Sequence, residues 1–213
     1  MIKLLVFDFD GTLVDTKNVI YDLVEQSIQK FNYNVERVVL QQELGNKPLQ
    51  EFLPLLGIKK KDVARIIDDS NIEQIKNVSQ IRGTKSLNCL GKIHKKKIII
   101  SNNISEFIKD ILHSLNITFF EEIYGIDDLK KDKAQKIKQI MKSDKLKPSE
   151  IIYLGDKEID IHVARKVGCY SVILSNEFSW GDKKAILKSK PDFIITSLTQ
   201  VKDIVKKLDK TKS

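Results

Sequence analysis

The sequence predicts an α/β protein: a parallel, doubly wound sheet of Rossmann-like type as the core, with a small all-α cap domain inserted near its start. Three observations predict it. A compact apolar run at 3–9 stops abruptly at Asp-Gly-Thr, as a buried strand running into a turn would. From 16 to 82 the apolar residues recur only at helical spacing, and after Gly83 short apolar runs alternate with helical stretches to the end. The expected division is therefore 1–15 with 83–213 for the α/β core and 16–82 for the helical insert.

Taken in order, the run at 3–9 is the first strand. In the insert, Val19, Ile20, Leu23, Val24 and Phe31 form one apolar stripe and Leu49, Phe52, Leu53 and Leu56 another, separated by the breaker Gly45-Asn46-Lys47-Pro48. Strands are then expected at 98–100, 119–124, 151–154, 171–174 and 193–195. Helices are expected at 107–115, 134–141, 159–167, 183–187 and 201–208. The run Lys95-Lys96-Lys97 reads as a solvated approach to a strand.

Composition narrows the class. With 41% hydrophobic and 31% charged residues but only 9 Gly and 4 Pro, the chain is a folded globular protein rather than a low-complexity one. Cys89 and Cys169 stand far apart, so neither a zinc motif nor a disulfide framework is expected, and a reduced, cytoplasmic setting is. No apolar run has the length of a membrane span, and the opening segment is broken too soon by Asp8 and Asp10 to be a signal peptide. The net charge of +8 is almost all lysine, since only Arg37, Arg65, Arg82 and Arg165 are arginines. Such a surface draws anions, phosphorylated metabolites among them, but lacks the clustered arginines and aromatics of a nucleic-acid reader. No interface can be read from periodicity, which leaves the oligomeric state open.

In a parallel sheet, ligands gather at the carboxyl ends of the strands. Strand one ends in Asp8-Phe9-Asp10-Gly11-Thr12, the strand at 98–100 in Ser101-Asn102-Asn103, and the strand at 151–154 in Gly155-Asp156, with Asp160 one helical turn on. Asp8 and Asp10, two residues apart, are expected to point the same way and to form one negative cluster with Asp156 and Asp160, which needs a cation. Oxygen ligands without histidine or thiolate favour Mg²⁺, and Mg²⁺ invites a substrate phosphate. Gly11 lets backbone approach that phosphate, and Ser101 can donate to it. A lysine is needed as well; Lys133 leads and Lys131 competes. Taken singly, Asp-Gly-Thr is a turn, Ser-Asn-Asn a cap and Gly-Asp a tight loop. Their recurrence after successive buried strands is what capping does not explain.

These residues resemble the haloacid dehalogenase superfamily, specifically its phosphoglycolate-phosphatase-like members with a helical cap. Asp8 to Asp15 matches D-x-D-G-T-L-x-D without a gap, Gly155 to Asp160 matches G-D-x-x-x-D, and the strand ending at Ser101-Asn102 resembles the second motif. Ala164, Gly168, Trp180-Gly181 and Pro191-Asp192 also fall where such members place them. The resemblance implies that Asp8 attacks phosphorus and that Asp10 protonates the leaving alcohol and then activates water. It implies that Ser101 and Lys133 hold the phosphoryl oxygens, with Gly11, Thr12 and Asn102 beside the substrate. Mg²⁺ would be bound by Asp8, the Asp10 backbone carbonyl, Asp156 and Asp160. Asn46 and Lys47, in the cap loop, would meet the leaving group. An acid at position 10 argues against halide or phosphonate chemistry. The competing readings are a sugar-phosphate mutase, a nucleic-acid end phosphatase and a non-catalytic phospholigand-binding regulator.

Overall fold

The computed structural model describes residues 1–44 and 49–210. The chain divides into two compact units, Met1–Asp15 with Arg82–Ser213, and Thr16–Ile81.

The first unit is built on a six-stranded sheet. Its strands are β1 (Leu4–Phe7), β4 (Lys96–Ile100), β5 (Glu122–Tyr124), β6 (Ile151–Gly155), β7 (Tyr170–Leu174) and β8 (Phe193–Ile195), in the spatial order β5-β4-β1-β6-β7-β8. Every neighbouring pair is parallel. Two further short strands, β2 (Val14–Asp15) and β3 (Arg82–Gly83), pair antiparallel and hold together the two points where the chain leaves and re-enters this unit. Arg82, grouped with the helical segment in the sequence reading, therefore belongs with the sheet unit because it pairs with Asp15.

β1 is apolar and buried throughout because both its faces are covered. Leu4 and Val6 pack with Ile98, Ile100, Ile151 and Tyr153 on one face, under α6 (Lys133–Ser143) and α7 (Glu158–Val167). Leu5, Phe7, Ile99, Ile152 and Leu154, the alternate residues, are buried as well. From β1 the chain goes on to β4 and β5 on one side, then returns for β6, β7 and β8 on the other. Strand order thus reverses around β1, and the crevice outside its carboxyl end is where such sheets bind ligands.

The sequence expectation differs from the structure in two places. β5 spans only Glu122–Tyr124, since Phe119 and Phe120 pack as a ring pair with Phe120 edge-on to Phe7 instead of entering the ladder. The lysine run is not a solvated approach either: Lys96 and Lys97 are the first residues of β4. Lys97 is buried and donates to the carbonyls of Ile93 at 2.8 Å and Lys95 at 2.7 Å, while Lys96 pairs with Glu122 and Asp144. Both ammonium groups thus find oxygen partners within the fold.

The second unit holds α1 (Lys17–Lys30), α2 (Arg37–Glu43), α3 (Leu49–Leu55) and α4 (Lys60–Lys76). Ile20, Leu23 and Val24 of the predicted stripe are buried, with Phe52 and Leu53 of the other. α1 and α4 are tied by Asp69, which accepts from Ser27 at 2.6 Å and from Lys30 at 3.0 Å. Asn46 and Lys47 lie outside the described residues.

Candidate active site

Asp8 follows the last residue of β1, and its N–H still donates to the Leu154 carbonyl at 2.8 Å, so the sheet ladder fixes its position. Its side chain is only 2% exposed. Oδ1 accepts from Lys133 Nζ at 2.8 Å and from the Phe9 N–H at 2.8 Å, while the buried Oδ2 has no hydrogen-bond partner among the described residues. Burial alone would raise the carboxyl, but the charges of Lys133 and Lys157 hold it below its ordinary value of 3.8. Asp8 is thus an ionised carboxylate with one oxygen held and one to spare.

Lys133 reaches Asp8 because α6 begins where it does. The Asp132 side chain caps the helix by accepting the Gln135 N–H at 2.8 Å, which places Lys133 in the first turn, buried. Lys131, the competing candidate, is exposed.

Asp156 stands at the end of β6, fully buried, with Thr12 Oγ1 at 3.4 Å from Oδ1 and the Trp180 backbone N–H donating to Oδ2. Asp160 caps the same turn: its Oδ2 accepts from the N–H groups of Asp156 at 3.1 Å and Lys157 at 3.0 Å, and its Oδ1 from the Tyr153 hydroxyl at 3.1 Å. The fit demands glycine at 155, where a Cβ would stand 2.2 Å from Asp160 Cγ. Gly11 is equally constrained. It has φ +74, and a Cβ there would lie 2.5 Å from Asp156 Oδ2 and from Trp180 Cδ1.

Asp8, Asp156 and Asp160 each offer a carboxylate oxygen, and these atoms lie within 4.8 Å of one another. Burial pushes Asp156 up to about 7; Lys157 opposes the shift, and Asp160 and Asp8 add to it. Asp160 is raised too, by burial and then by Asp8. Carboxylates raised by burial and by one another's charge, beside a buried Asp8 oxygen that has no partner among the described residues, are a donor set suited to a divalent cation.

Asp10 departs from the expectation that its carboxylate joins this cluster. β1 ends at Phe7, so strand alternation does not extend to Asp10, which instead forms a bridge with Val14. Its Oδ2 accepts from the Asn103 amide at 3.4 Å. Ser101, after β4, is wholly buried and its Oγ accepts the Asn103 N–H at 3.1 Å. Asn102 is exposed at the same turn; the asparagine that meets Asp10 is its neighbour, Asn103. Lys157, Tyr153 and Trp180 also border the acids, and sequence reasoning had not singled them out for that role. Tyr153 could have been found by alternation along β6, and Lys157 by its place inside the G-D-x-x-x-D run, whereas nothing local marks Trp180.

A family model of haloacid dehalogenase-like hydrolases matches residues 5–174, a span that takes in Asp8, Ser101, Lys133, Asp156 and Asp160. The chain belongs to the haloacid dehalogenase-like hydrolases. Within that family it is similar to the phosphoglycolate phosphatase of Vibrio vulnificus strain YJ016, at 27% identity over 96% of each chain. The counterpart in Salmonella typhimurium is 23% identical over 92% of this chain and 89% of that protein. Among solved structures, a predicted phosphatase from Clostridium acetobutylicum superposes with TM-score 0.82 at 21% identity, covering 97% of this chain and 99% of that one. A predicted phosphoglycolate phosphatase from Haemophilus somnus does so with TM-score 0.80 at 18% identity, covering 96% and 98%. These last two likenesses speak to the fold of this haloacid dehalogenase-like hydrolase. The family match and the curated relatives make it a phosphatase-type hydrolase of the phosphoglycolate-phosphatase-like kind. No helix among its described residues is long and apolar enough to cross a membrane.

Proposed function

We propose that this hydrolase is a Mg²⁺-dependent phosphatase, working in the cytoplasm on a small phosphomonoester such as phosphoglycolate, through an aspartyl-phosphate on Asp8. The observation that carries the reading is the Asp8 carboxylate: buried, ionised, anchored through Oδ1 by Lys133 at 2.8 Å, and with no hydrogen bond to Oδ2 among the described residues. A carboxylate anchored by one oxygen is oriented for attack with the other.

In the first step an Asp8 oxygen bonds to phosphorus as the ester P–O bond breaks, and Asp10, in its acid form, gives its proton to the departing alkoxide. Asp10, now a carboxylate, then takes a proton from water as that water attacks phosphorus, which frees Asp8 and releases inorganic phosphate. The Asn103 amide at 3.4 Å orients Asp10 for both transfers. The buried Ser101 hydroxyl, just past β4, and Lys133, in the first turn of α6, would hold phosphoryl oxygens, and Gly11 lets the backbone approach them. Asp8 and Asp156 would hold Mg²⁺ with support from Asp160, and the ion would supply neutralisation of the carboxylates and of the phosphoryl oxygens.

The test is phosphate release from a panel of phosphomonoesters, with Mg²⁺, with chelator, and with Asp8→Asn. Mg²⁺-dependent release that falls by about 10³-fold or more in Asp8→Asn is expected. Undiminished release by Asp8→Asn would overturn the covalent route. Transfer of phosphate within the substrate without release would turn the reading toward a mutase.

A further inference from the structure

Lys157 occupies the N-cap position of α7, between Asp156 and the first helical turn. Its side chain is buried, at 8% exposure, which is costly for an ammonium group unless nearby carboxylates compensate. Nζ lies 5.2 Å from the centroid of the Trp180 ring. The carboxylates whose charge acts on it are, in falling order, Asp156, Asp8, Asp160 and Asp10. Trp180 is itself fixed in place, because its backbone N–H donates to Asp156 Oδ2 and its ring edge lies against the space above Gly11. An aliphatic stem alone would satisfy Trp180. The charge at the end of that stem is what needs a reason.

Counting charges supplies one. With Asp8, Asp156 and Asp160 ionised and Asp10 in its acid form, Lys133 and one divalent cation bring the centre only to neutrality, which offers a phosphate dianion no net attraction. A second buried ammonium makes the centre net positive before the dianion arrives. The same ammonium repels the divalent cation.

We infer that Lys157 is an electrostatic positioning residue of this centre: its buried ammonium, seated on Trp180 beside Asp156, loosens the hold on the divalent cation and tightens the hold on the phosphate dianion. The inference rests on the phosphatase reading above. A purely structural lysine would affect both ligands in the same direction, since a distorted site binds everything less well.

The test is calorimetric titration of the whole protein with MgCl₂, and with inorganic phosphate at saturating Mg²⁺, for wild type, Lys157→Met and Lys157→Arg. Lys157→Met keeps the stem and removes the charge. It is expected to bind Mg²⁺ on the order of tenfold tighter and phosphate on the order of tenfold more weakly, with Lys157→Arg near wild type in both. If Lys157→Met does not fold in chelator, as judged by its thermal transition, Trp180→Leu replaces it. That variant unseats the ammonium and is expected to shift the two affinities in the same opposed directions by less. Affinities that fall together, or that do not move, overturn the role given to Lys157. A wild-type protein that binds neither Mg²⁺ nor phosphate overturns the phosphatase reading instead.

Discussion

Asp10 carries the most specific chemical expectation at the residue scale, because it is asked to act twice. With Asp10→Asn, an activated ester such as p-nitrophenyl phosphate needs little protonation of its leaving group, so the first step continues, whereas water activation fails. A burst of nitrophenol about equal to the enzyme concentration is expected, followed by turnover lowered about 10² to 10⁴-fold, seen in stopped-flow absorbance. Steady turnover without a burst would remove Asp10 from the second step. Gly11→Ala is expected to damage the centre through backbone and space together. An alanine at φ +74 costs about 1–2 kcal/mol, and its Cβ would stand 2.5 Å from Asp156 Oδ2, so thermal stability should drop and the rise in Tm on adding Mg²⁺ should shrink or vanish. Asp8 and Asp156 stood out in the sequence because each lies just past the end of a buried apolar run, and Asp160 because it falls one helical turn beyond Asp156. Lys157 was passed over, although it sits between two of those acids in the G-D-x-x-x-D run, because one more lysine in a lysine-rich chain looks like a solvated one. Asn103 was passed over for Asn102 because the turn that decides which amide faces Asp10 leaves no periodic pattern.

Among the elements, β4 shows how charge is handled where a strand enters the sheet. Lys96 pairs with Glu122 on neighbouring β5 and with Asp144, at 2.8 Å, just past the end of α6, binding strand, edge and helix together. The hydrogen bonds and charge of Lys96 lower Asp144, and Glu122, although raised by burial, is lowered on balance by Lys96 and Tyr124. Lys96 is raised by its two acids. Acids lowered in the folded state add stability above their ordinary values of 4.5 for Glu122 and 3.8 for Asp144, and lose it as pH falls through their folded values. The raised lysine contributes fully below its ordinary 10.5 and loses its share as pH rises through the folded value. Lys96→Met should therefore cost about 1 kcal/mol in urea unfolding between roughly pH 5 and 10, and the gap to wild type should close below about pH 3. A gap that stays constant down to pH 2 would mean that the stem of Lys96, not its charge, is what matters. Apolar runs made the parallel strands legible, but the sequence reading began this one at Ile98, because two lysines at a strand entry look like solvent-facing residues until the acids that cover them are placed. Phe119 and Phe120 misled in the opposite sense: β-favouring aromatics extended the expected strand where ring packing had claimed them.

At the scale of the whole molecule, the composition of each unit implies that the sheet unit can stand alone. It contains all six parallel strands, and Asp8, Asp10, Ser101, Lys133, Asp156 and Asp160 all belong to it. The helical unit keeps its own buried residues, Ile20, Leu23, Val24, Phe52, Leu53 and Ile66, and its own Lys30–Asp69 pair. The helical periodicity of 16–82 made this unit legible, since a segment with one apolar stripe per helix can bury those stripes against each other. The short ribbon that bounds it was not, for two residues are too few to show alternation. That ribbon sets Asp15 directly opposite Arg82 in an antiparallel ladder, with Val14 opposite Gly83. Opposed residues in such a ladder can be joined by a two-residue turn, and Asn-Gly supplies the positive φ values that a type I′ turn needs. Replacing 16–81 by Asn-Gly should therefore leave a folded α/β protein with a lower urea m-value, because less surface is exposed on unfolding. It should also keep its metal response: at Mg²⁺ one hundred times the dissociation constant, linkage stabilises by about 2.7 kcal/mol, a rise of about 5–10 °C in Tm that chelator reverses. A shortened chain that is folded by circular dichroism but no longer responds to Mg²⁺ would place part of the cation site in the helical unit. A chain that fails to fold would show that the two units, though each has its own core, are stable only together.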